Sequence, residues 1–433
     1  MRRRRLRRRL LDPLVQFIQT EASSGILLMS AALVAILWAN STWAKSYFDL
    51  WHVDVTFVAL TMSLLHWIND GLMAVFFLVV GLEIKRELLL GELSSAKRAA
   101  LPIAAALGGM IVPALIYAGF NTGGPGAKGW GIPMATDIAF ALGVLALLGP
   151  RIPLGLKVFL AALAIVDDLG AVLVIAIFYT AELNIPLLLG AGGVVAGLLL
   201  LNKAGIRQLT PYVIGGIVLW FLVLQSGIHA TIAGVLLAAT IPTKVRLNAR
   251  EYASRNRELV DAFEREDTSE DDVLLSPSRQ TLIEEVARAS EDAQMPLERL
   301  EGALHPWVTY GIVPTFALAN AGVPLGEGMP QVATHPIALG VMLGLVVGKP
   351  IGIALFAYLA VKRKLAELPQ GVRWRHVIGV GMLGGIGFTM SLFVADLGLA
   401  TPQQLVVAKS AILLASAVAG IAGFMTLRRV ARR

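Results

Sequence analysis

Cysteine is absent from the 433 residues, and charged side chains make up only 15% of them. Without cysteine the chain can hold no disulfide framework, no cysteine-ligated metal and no thiol nucleophile. Soluble domains carry about 25% charged residues, whereas 56% of the residues here are hydrophobic. A soluble enzyme is therefore excluded, and we expect neither catalysis nor a cofactor.

Apolar stretches of membrane-spanning length recur along nearly the whole chain. A helix needs roughly 20 apolar residues to cross the core of a bilayer, and this criterion predicts an all-α membrane protein with twelve transmembrane helices. Eight spans occupy residues 24–243 and four occupy residues 304–426. They are centred near 24–40, 66–82, 99–119, 130–148, 156–180, 186–201, 209–224, 227–243, 304–320, 336–360, 376–396 and 404–426.

The positions of the basic residues predict how the spans are oriented. Alternate short connections hold 13 Lys and Arg and the termini hold 11 arginines, whereas the opposite connections hold only Lys45 and Lys128. Short cytoplasmic loops carry an excess of Lys and Arg, so both termini are predicted to be cytoplasmic. The basic N-terminus at 1–23, with a short interfacial helix, and the basic tail at 427–433 are expected to contact membrane lipid, not nucleic acid.

Residues 244–303 form the one long polar segment between spans. This segment carries 15 of the 30 acidic residues of the chain and has little apolar content. We expect an acidic cytoplasmic insert that is mainly a solvated, partly disordered loop. The alternative is a pair of helices, one capped by Ser278 and one that opens at Pro296 and runs into the ninth span.

Four charged side chains lie deep within the predicted spans. Asp137 is in the fourth span, Asp167 and Asp168 are in the fifth, and Lys349 is midway along the tenth. Ionisable groups at membrane depth are costly and therefore mark functional sites, although Lys349 could be a purely structural counter-charge. Lys409, close to one end of the twelfth span, is expected to snorkel toward the interface.

Three carboxylates and one ammonium predict a site for a small hard cation that protons can also occupy. Carboxylate, hydroxyl and carbonyl oxygens suit such cations. Proton and cation then compete for the same oxygens, and a site that must hold one or the other to cross the membrane couples their fluxes. Since adjacent residues of a helix point about 100° apart, one of Asp167 and Asp168 could face the ion while the other meets Lys349.

Two spans are weak helices at mid-membrane. The eleventh span has five glycines within residues 379–387, and in the fourth Gly131 and Pro133 precede Thr136 and Asp137. Such segments are typical of discontinuous helices, whose half-helix ends bind or repel ions. Alternatively, the glycines only permit close helix packing. If spans three to five match spans ten to twelve, the weak helices are the middle members, which predicts two inverted-topology repeats.

The motifs around these residues resemble the NhaA-type sodium/proton antiporters of bacteria. The most specific block holds Ala-Thr-Asp-Ile-Ala-Phe-Ala-Leu-Gly at 135–143 and Ala-Ile-Val-Asp-Asp-Leu-Gly at 164–170. Gly-Lys-Pro-Ile-Gly at 348–352 and Gly-Ile-Gly-Phe-Thr-Met-Ser at 385–391 complete the pattern. The resemblance covers about residues 22–243 and 297–425, which is nearly all of the predicted membrane part.

This resemblance implies an inner-membrane antiporter that exchanges sodium, and usually lithium, for protons by alternating access. Exchange in that family is electrogenic and pH-regulated and serves pH and sodium homeostasis. The resemblance further implies that Asp167 and Asp168 carry ion and protons, with Thr136 near the ion path. Asp137 would balance the positive half-helix ends, and Lys349 would balance the negative ends and pair with Asp167.

The same resemblance implies a pH-sensing cluster at the cytoplasmic mouth. Glu83, Glu87 and Glu301 fit this cluster, although they could be ordinary interfacial charges. His229 is a further candidate for pH regulation, with a packed, hydrogen-bonded histidine as the alternative. A homodimer is also implied, although the connection at 41–63 is short for the family's extracytoplasmic hairpin.

Two other functions stay open on the residues alone. One is a sodium-coupled or proton-coupled symporter of an organic anion on a related inverted-repeat fold. The other is a cation channel, or a non-transporting sensor with residues 244–303 as its output domain. A symporter should have a roomier polar cavity for its substrate, and this sequence offers few polar groups beyond the aspartates and some hydroxyls.

Overall fold

The computed structural model describes residues 23–57, 60–180, 183–265, 277–324, 326 and 332–431. The predicted interfacial helix of the N-terminus lies outside these residues. The described chain is predominantly helical, as the sequence predicts.

One small hairpin departs from the all-α prediction. Strands β1 (Asp54–Phe57) and β2 (Leu60–Ser63) pair antiparallel, with Asp54 opposite Ser63. The hydroxyls of Thr56 and Thr61 are 2.9 Å apart across the pair. The strands are rich in β-branched and aromatic residues, which favour extended backbone over helix. The segment at 41–63 therefore contains a hairpin in spite of its short length.

The first half of the chain contains nine helices within the described residues. Ser95 and Asn184 are the N-caps of two of these helices. The side-chain oxygen of each accepts a hydrogen bond from the backbone N–H three residues later. The elements are α1 (Ser23–Ala39), α2 (Ala44–Trp51), α3 (Leu64–Leu89), α4 (Ala96–Asn121), a 3₁₀ segment (Ala127–Met134), α5 (Ile138–Ala146), α6 (Leu154–Phe178), α7 (Ile185–Lys203), α8 (Thr210–Leu224) and α9 (Ile232–Thr240).

The second half of the chain begins with the helices of the insert and continues with further helices. Its elements are α10 (Ala249–Arg265), α11 (Pro277–Asp292), α12 (Pro296–Trp307), a π turn (Val308–Ile312), α13 (Val313–Asn320), α14 (Pro336–Lys362), α15 (Trp374–Gly384), α16 (Phe388–Gly398) and α17 (Pro402–Ala431). A π turn at Gly344–Gly348 interrupts α14 immediately before Lys349. Such turns recur at functional sites because they re-aim the side chains that follow.

Seven helical segments of the described chain are long and apolar enough to cross a membrane, and up to nine if each bent pair counts as one span. The bent pairs are α1 with α2, at 116°, and α15 with α16, at 47°. Each of the twelve predicted spans overlaps a helix, but α8 and α9 are shorter than this test requires, and the continuous helical run of α12, the π turn and α13 is not among the seven. The chain is thus a multi-pass membrane protein.

The acidic insert is mostly helical where it is described, so the predicted solvated loop is wrong for α10 and α11. The alternative pair of helices is closer, because a helix begins at Pro277, beside Ser278, and another at Pro296. The two insert helices pack on each other, with Leu259 and Ala289 buried. A few apolar residues at helical spacing were therefore enough to order this polar segment.

The closest backbone contact between spans joins α4 and α14. Gly108 and Gly352 face each other, and a Cβ atom placed on either glycine would overlap the carbonyl oxygen of the other. Small residues at such positions let membrane helices approach backbone to backbone. The contact lies three residues beyond Lys349 on α14, so it fixes the depth and rotation of that lysine.

Gly352→Ala is expected to destabilise the protein by about 2 kcal/mol or more, because the added methyl must push two backbones apart. The measurement is the thermal unfolding midpoint of the detergent-purified protein. Gly193→Ala on α7 is the matched control, since nothing lies within 4 Å of a Cβ there. Equal midpoints for the two variants would contradict the tight contact.

Candidate functional site

Two interrupted helices cross at the centre of the bundle. In the fourth span the 3₁₀ segment ends at Met134 and α5 begins at Ile138, and in the eleventh α15 ends at Gly384 and α16 begins at Phe388. The backbone N–H of Asp137 donates to the carbonyl of Ile386 at 2.7 Å across the crossing. The predicted discontinuities of the fourth and eleventh helices are confirmed.

Asp137 caps both half-helices that begin at the crossing. Its Oδ1 accepts from the N–H of Phe140 on α5 at 2.9 Å. Its Oδ2 accepts from the N–H of Thr389 on α16 at 3.2 Å and from the Thr389 hydroxyl at 2.5 Å. Helix N-termini carry partial positive charge, and this carboxylate, only 2% exposed, faces two of them.

Lys349 contacts a helix end of the opposite sign. Its Nζ donates to the carbonyl of Met134, the last residue of the 3₁₀ segment, and to Oδ2 of Asp167 at 2.8 Å. Lysine and aspartate are both fully buried, with side chains 0% and 1% exposed. The other oxygen of Asp167 has no hydrogen-bond partner among the described residues.

Asp168 faces an open space, unlike its neighbour. A cavity of about 90 Å³ is lined by Asp168, Thr136, Asp137 and Thr389, and it extends to Glu83. No ion pair or hydrogen bond from the described residues reaches the Asp168 carboxylate. Since a water molecule needs only about 10–15 Å³, the cavity has room for a small cation and water. The expected division between a pocket-facing and a lysine-paired aspartate is confirmed.

Thr136 lies at the same crossing, in the extended stretch between the half-helices. Its hydroxyl donates to the carbonyl of Gly384, the last residue of α15, at 2.9 Å. This bond orients the threonine oxygen at the cavity wall and satisfies one of the free carbonyls of a helix end. Thr136 and Asp168 together offer hydroxyl and carboxylate oxygens to one space, which suits a hard cation.

Arg86 joins two of the three predicted pH-sensing glutamates. Its guanidinium is 2.5 Å from Oε1 of Glu301 and 3.9 Å from Oε1 of Glu83. Glu87 instead accepts from the backbone N–H of Glu92 at 3.0 Å. The cluster thus connects α3 to α12, and of its members Glu83 also lines the cavity.

The surroundings of Glu301 shift the pKa of its carboxyl toward neutral pH. Burial raises the pKa of the Glu301 carboxyl to about 7, and the nearby Glu83, Glu87 and Glu298 act in the same direction. Arg86 opposes this shift, since a positive charge favours the carboxylate. Glu301 therefore changes its charge across the physiological pH range.

His229 lies in a different environment from the glutamates. Its Nδ1 is 3.6 Å from Oδ1 of Asp70, and its ring packs edge-on against Phe393 with centroids 5.7 Å apart. The hydrogen-bonded alternative is not realised at that nitrogen, which lacks a hydrogen-bond partner among the described residues. The structure does not bring His229 into the Arg86 cluster.

Lys409 does not simply snorkel, and that expectation is wrong. Its Nζ is 2.9 Å from Oδ1 of Asp396 on α16 and 3.3 Å from Oδ1 of Asn320 on α13. Asn320 in turn donates to Oδ1 of Asn69 on α3 at 2.9 Å. The ammonium therefore has direct partners on two other spans and is linked to a third through Asn320.

Sequence reasoning missed the roles of Arg86 and Thr389. Arg86 was indistinguishable from an ordinary interfacial base, because its partner Glu301 is 215 residues away in the chain. Thr389 was visible only as part of a glycine-rich motif. A signal did exist, since a hydroxyl two residues past a glycine break is placed to reach the end of a facing half-helix.

Buried carboxylates and an ammonium at the crossing of two interrupted helices define a class of protein, the multi-pass secondary transporters. The model of the family Na+/H+ antiporter 1 matches residues 15–427, and the chain belongs to this family. It is 52% identical over 428 residues to the Na(+)/H(+) antiporter NhaA of Oleidesulfovibrio alaskensis, covering 98% of this chain and 95% of that protein.

Two further relatives carry the same name. The protein of Wolinella succinogenes is 51% identical over 415 residues, covering 95% of this chain and 92% of the relative. The protein of Acidithiobacillus ferrooxidans is 48% identical over 432 residues, covering 98% and 99%. Membership therefore extends over nearly the whole length of this chain and of its relatives.

Proposed function

We propose that this chain exchanges sodium or lithium ions for protons across the bacterial inner membrane by alternating access. The observation that carries the proposal is the Asp168 carboxylate, which faces a cavity at the crossing of two interrupted helices. Membership of the Na+/H+ antiporter 1 family supports the choice of ions. The symporter alternative is not favoured, because the cavity of about 90 Å³ is small for an organic anion.

In the proposed cycle, Asp168 holds either a proton or the cation, and Thr136 adds its oxygen to the cation. A cation entering the cavity displaces the proton, since both need the same carboxylate oxygens. When the bond between Asp167 and Lys349 opens, Asp167 joins the cation and Lys349 gives up a second proton, which the lysine takes up again when the cation leaves and the pair re-forms. More than one proton can then move for each cation, which makes exchange electrogenic.

Asp137 and Lys349 supply charges that make the crossing tolerable at membrane depth. The carboxylate of Asp137 faces two positive helix ends, and the ammonium of Lys349 faces a negative one. The charge of Asp137 does not have to change during transport. Removing either would leave half-helix ends uncompensated in a region of low dielectric.

The rest of the architecture is proposed on the same basis. We assign twelve spans with two inverted repeats, α4 to α6 and α14 to α17, and both termini on the cytoplasmic side. The excess of Lys and Arg in alternate connections supports this orientation. The hairpin of β1 and β2 would lie outside the membrane and pair with a second copy of the chain in a homodimer.

We further propose that Glu301, with Arg86, Glu83 and Glu87, sets the pH response, and that His229 contributes from its separate place beside Asp70. As pH rises through about 7, Glu301 loses its proton and its ion pair with Arg86 becomes fully charged. Below that pH the carboxyl is neutral and the pair is weakened. Packing of α12 on α3 therefore changes over the range in which the antiporter must switch.

Glu301→Gln removes this titration and is expected to move the midpoint of pH activation by about one unit or to flatten the profile. The measurement is sodium-dependent proton movement in vesicles between mildly acid and alkaline pH. Glu258→Gln is the control, since that side chain is exposed on α10 of the insert and is not among the groups that shift the pKa of Glu301. Identical profiles for the wild type and both variants would remove Glu301 from the pH response.

A single transport assay tests the function itself. The purified protein is reconstituted in sealed vesicles with an imposed pH gradient, and sodium or lithium is added. An antiporter dissipates the gradient on cation addition. A channel passes cations without exchange, a symporter needs its organic partner, and a gradient left intact at every pH from mildly acid to alkaline would refute the proposal.

A further inference from the structure

A second cavity, remote from the helix crossing, lies between the acidic insert and the membrane part. Its volume is about 340 Å³, and it is bounded by residues 207–210 on one side and by the insert from Arg246 to Arg299 on the other. Small-molecule sites in proteins begin at about 300 Å³. The lining is polar, and it belongs to no step of the proposed transport cycle.

Four arginines line this cavity against two acidic residues. Arg207 comes from the connection before α8, whereas Arg246, Arg288 and Arg299 come from the insert. The two acids, Glu291 and Asp292, lie at the end of α11. A basic lining is unexpected here, because residues 244–303 carry half of all the acidic residues of the chain.

Each of the two acids already forms an ion pair with an arginine of the lining. Arg299 is 2.6 Å from Oε2 of Glu291, and Arg246 is 3.3 Å from Oδ1 of Asp292. The two remaining guanidiniums of the lining are Arg207 in the membrane part and Arg288 in the insert. Arg207 forms no ion pair within the described part of the chain, and Arg288 reaches only the exposed Glu284, at 3.5 Å.

Two helix N-termini open into the same space. α8 begins at Thr210 and α12 begins at Pro296, and both residues line the cavity. The dipole of a helix favours an anion at its N-terminus. Arg207 and Arg288, which have no acidic partner in the lining of the cavity, and the two helix ends therefore point to the same kind of ligand.

We infer that this cavity binds an anion bearing a phosphate group, held between Arg207 of the membrane part and Arg288 of the insert. Planar guanidiniums match phosphate oxygens in bidentate geometry. The phosphate could belong to a soluble compound or to the headgroup of an anionic lipid, since both present the same oxygens. In either case the ligand clamps the insert onto the membrane part.

The test is a titration of the full-length, detergent-purified protein with inorganic pyrophosphate at constant ionic strength, followed by thermal unfolding. Ligand that binds only the folded state raises the unfolding midpoint, so a saturable rise is expected. Arg207→Ala and Arg288→Ala should each raise the half-saturating concentration at least about tenfold, the loss of one charge-assisted contact. Arg288 is largely exposed, so its replacement leaves folding intact.

Arg257→Ala is the matched control, an exposed arginine of the same insert that does not line the cavity. It should titrate like the wild type. No saturable rise in the wild type, or an equal rise in all four proteins, would overturn the site.

Nanodiscs separate the two sources of phosphate. In phosphatidylcholine alone, pyrophosphate should raise the unfolding midpoint as it does in detergent. If added phosphatidylglycerol abolishes the rise in the wild type, the lipid headgroup occupies the site, and if the rise persists, the ligand is soluble. Absence of any pyrophosphate effect in phosphatidylcholine would again reject the site.

Discussion

An Asp168→Asn variant is expected to fold normally and to lose sodium-dependent proton movement completely. The amide has nearly the same size as the carboxylate, so the cavity at the crossing keeps its shape. It cannot take up and release a proton, however, and it offers no negative charge to a cation. Both halves of the exchange therefore fail together, which distinguishes this change from one that only weakens cation binding.

The measurement is the collapse of an imposed pH gradient in vesicles after addition of sodium or lithium. Thermal unfolding of the detergent-purified variant should match that of the wild type. Asp49→Asn serves as the control, because Asp49 is an exposed aspartate that pairs with Lys45 away from the crossing, and it should retain full activity. Any cation-dependent proton release from Asp168→Asn would count against the assigned role.

Lys349→Ala is expected to cost about 3–5 kcal/mol of stability, the range for breaking a buried ion pair by removing one partner. The alanine leaves Asp167 without its positive partner and the carbonyl of Met134 without its donor. Lys349→Arg keeps the positive charge and should lose much less stability than Lys349→Ala. The larger guanidinium must nevertheless fit a side-chain site that is fully buried.

The comparison is made on unfolding midpoints of the two purified variants, with Lys362→Ala as an exposed control on the same helix. The unfolding midpoint should be highest for Lys362→Ala, lower for Lys349→Arg and lowest for Lys349→Ala. If the alanine and arginine variants unfold at the same temperature, the bond between Lys349 and Asp167 contributes nothing to the fold, and the counter-charge role of the lysine fails with it.

Much of the fold could be predicted, because membrane spans are set by a simple requirement for apolar length. Glycine and proline placed the two helix breaks correctly, since both residues weaken a helix wherever they occur. The helices of the insert were harder to predict from the sequence. α10 and α11 are strongly polar, and only a few buried residues such as Leu259 and Ala289 hold them together, which is too weak a signal to distinguish from a solvated segment.

For the site, the sequence could identify charges that have no reason to be in hydrocarbon, and these residues do meet at the crossing. The residue types alone could not say which of the adjacent aspartates pairs with Lys349, because that depends on the rotation of α6 in the bundle; only the family resemblance implied Asp167. Nor could the sequence pair Arg86 with Glu301 or Lys409 with Asp396. Those partners come from different helices, and tertiary packing alone brings them together.

The Gly108–Gly352 contact has a consequence for how the molecule moves. At this contact each glycine lies against the carbonyl oxygen of the other, so no side chain separates α4 from α14 there. For one helix to slide or roll past the other, the two would first have to separate. We therefore expect the pair to move as one rigid unit that carries Lys349 with it, and any relative movement of the helices to occur along other faces.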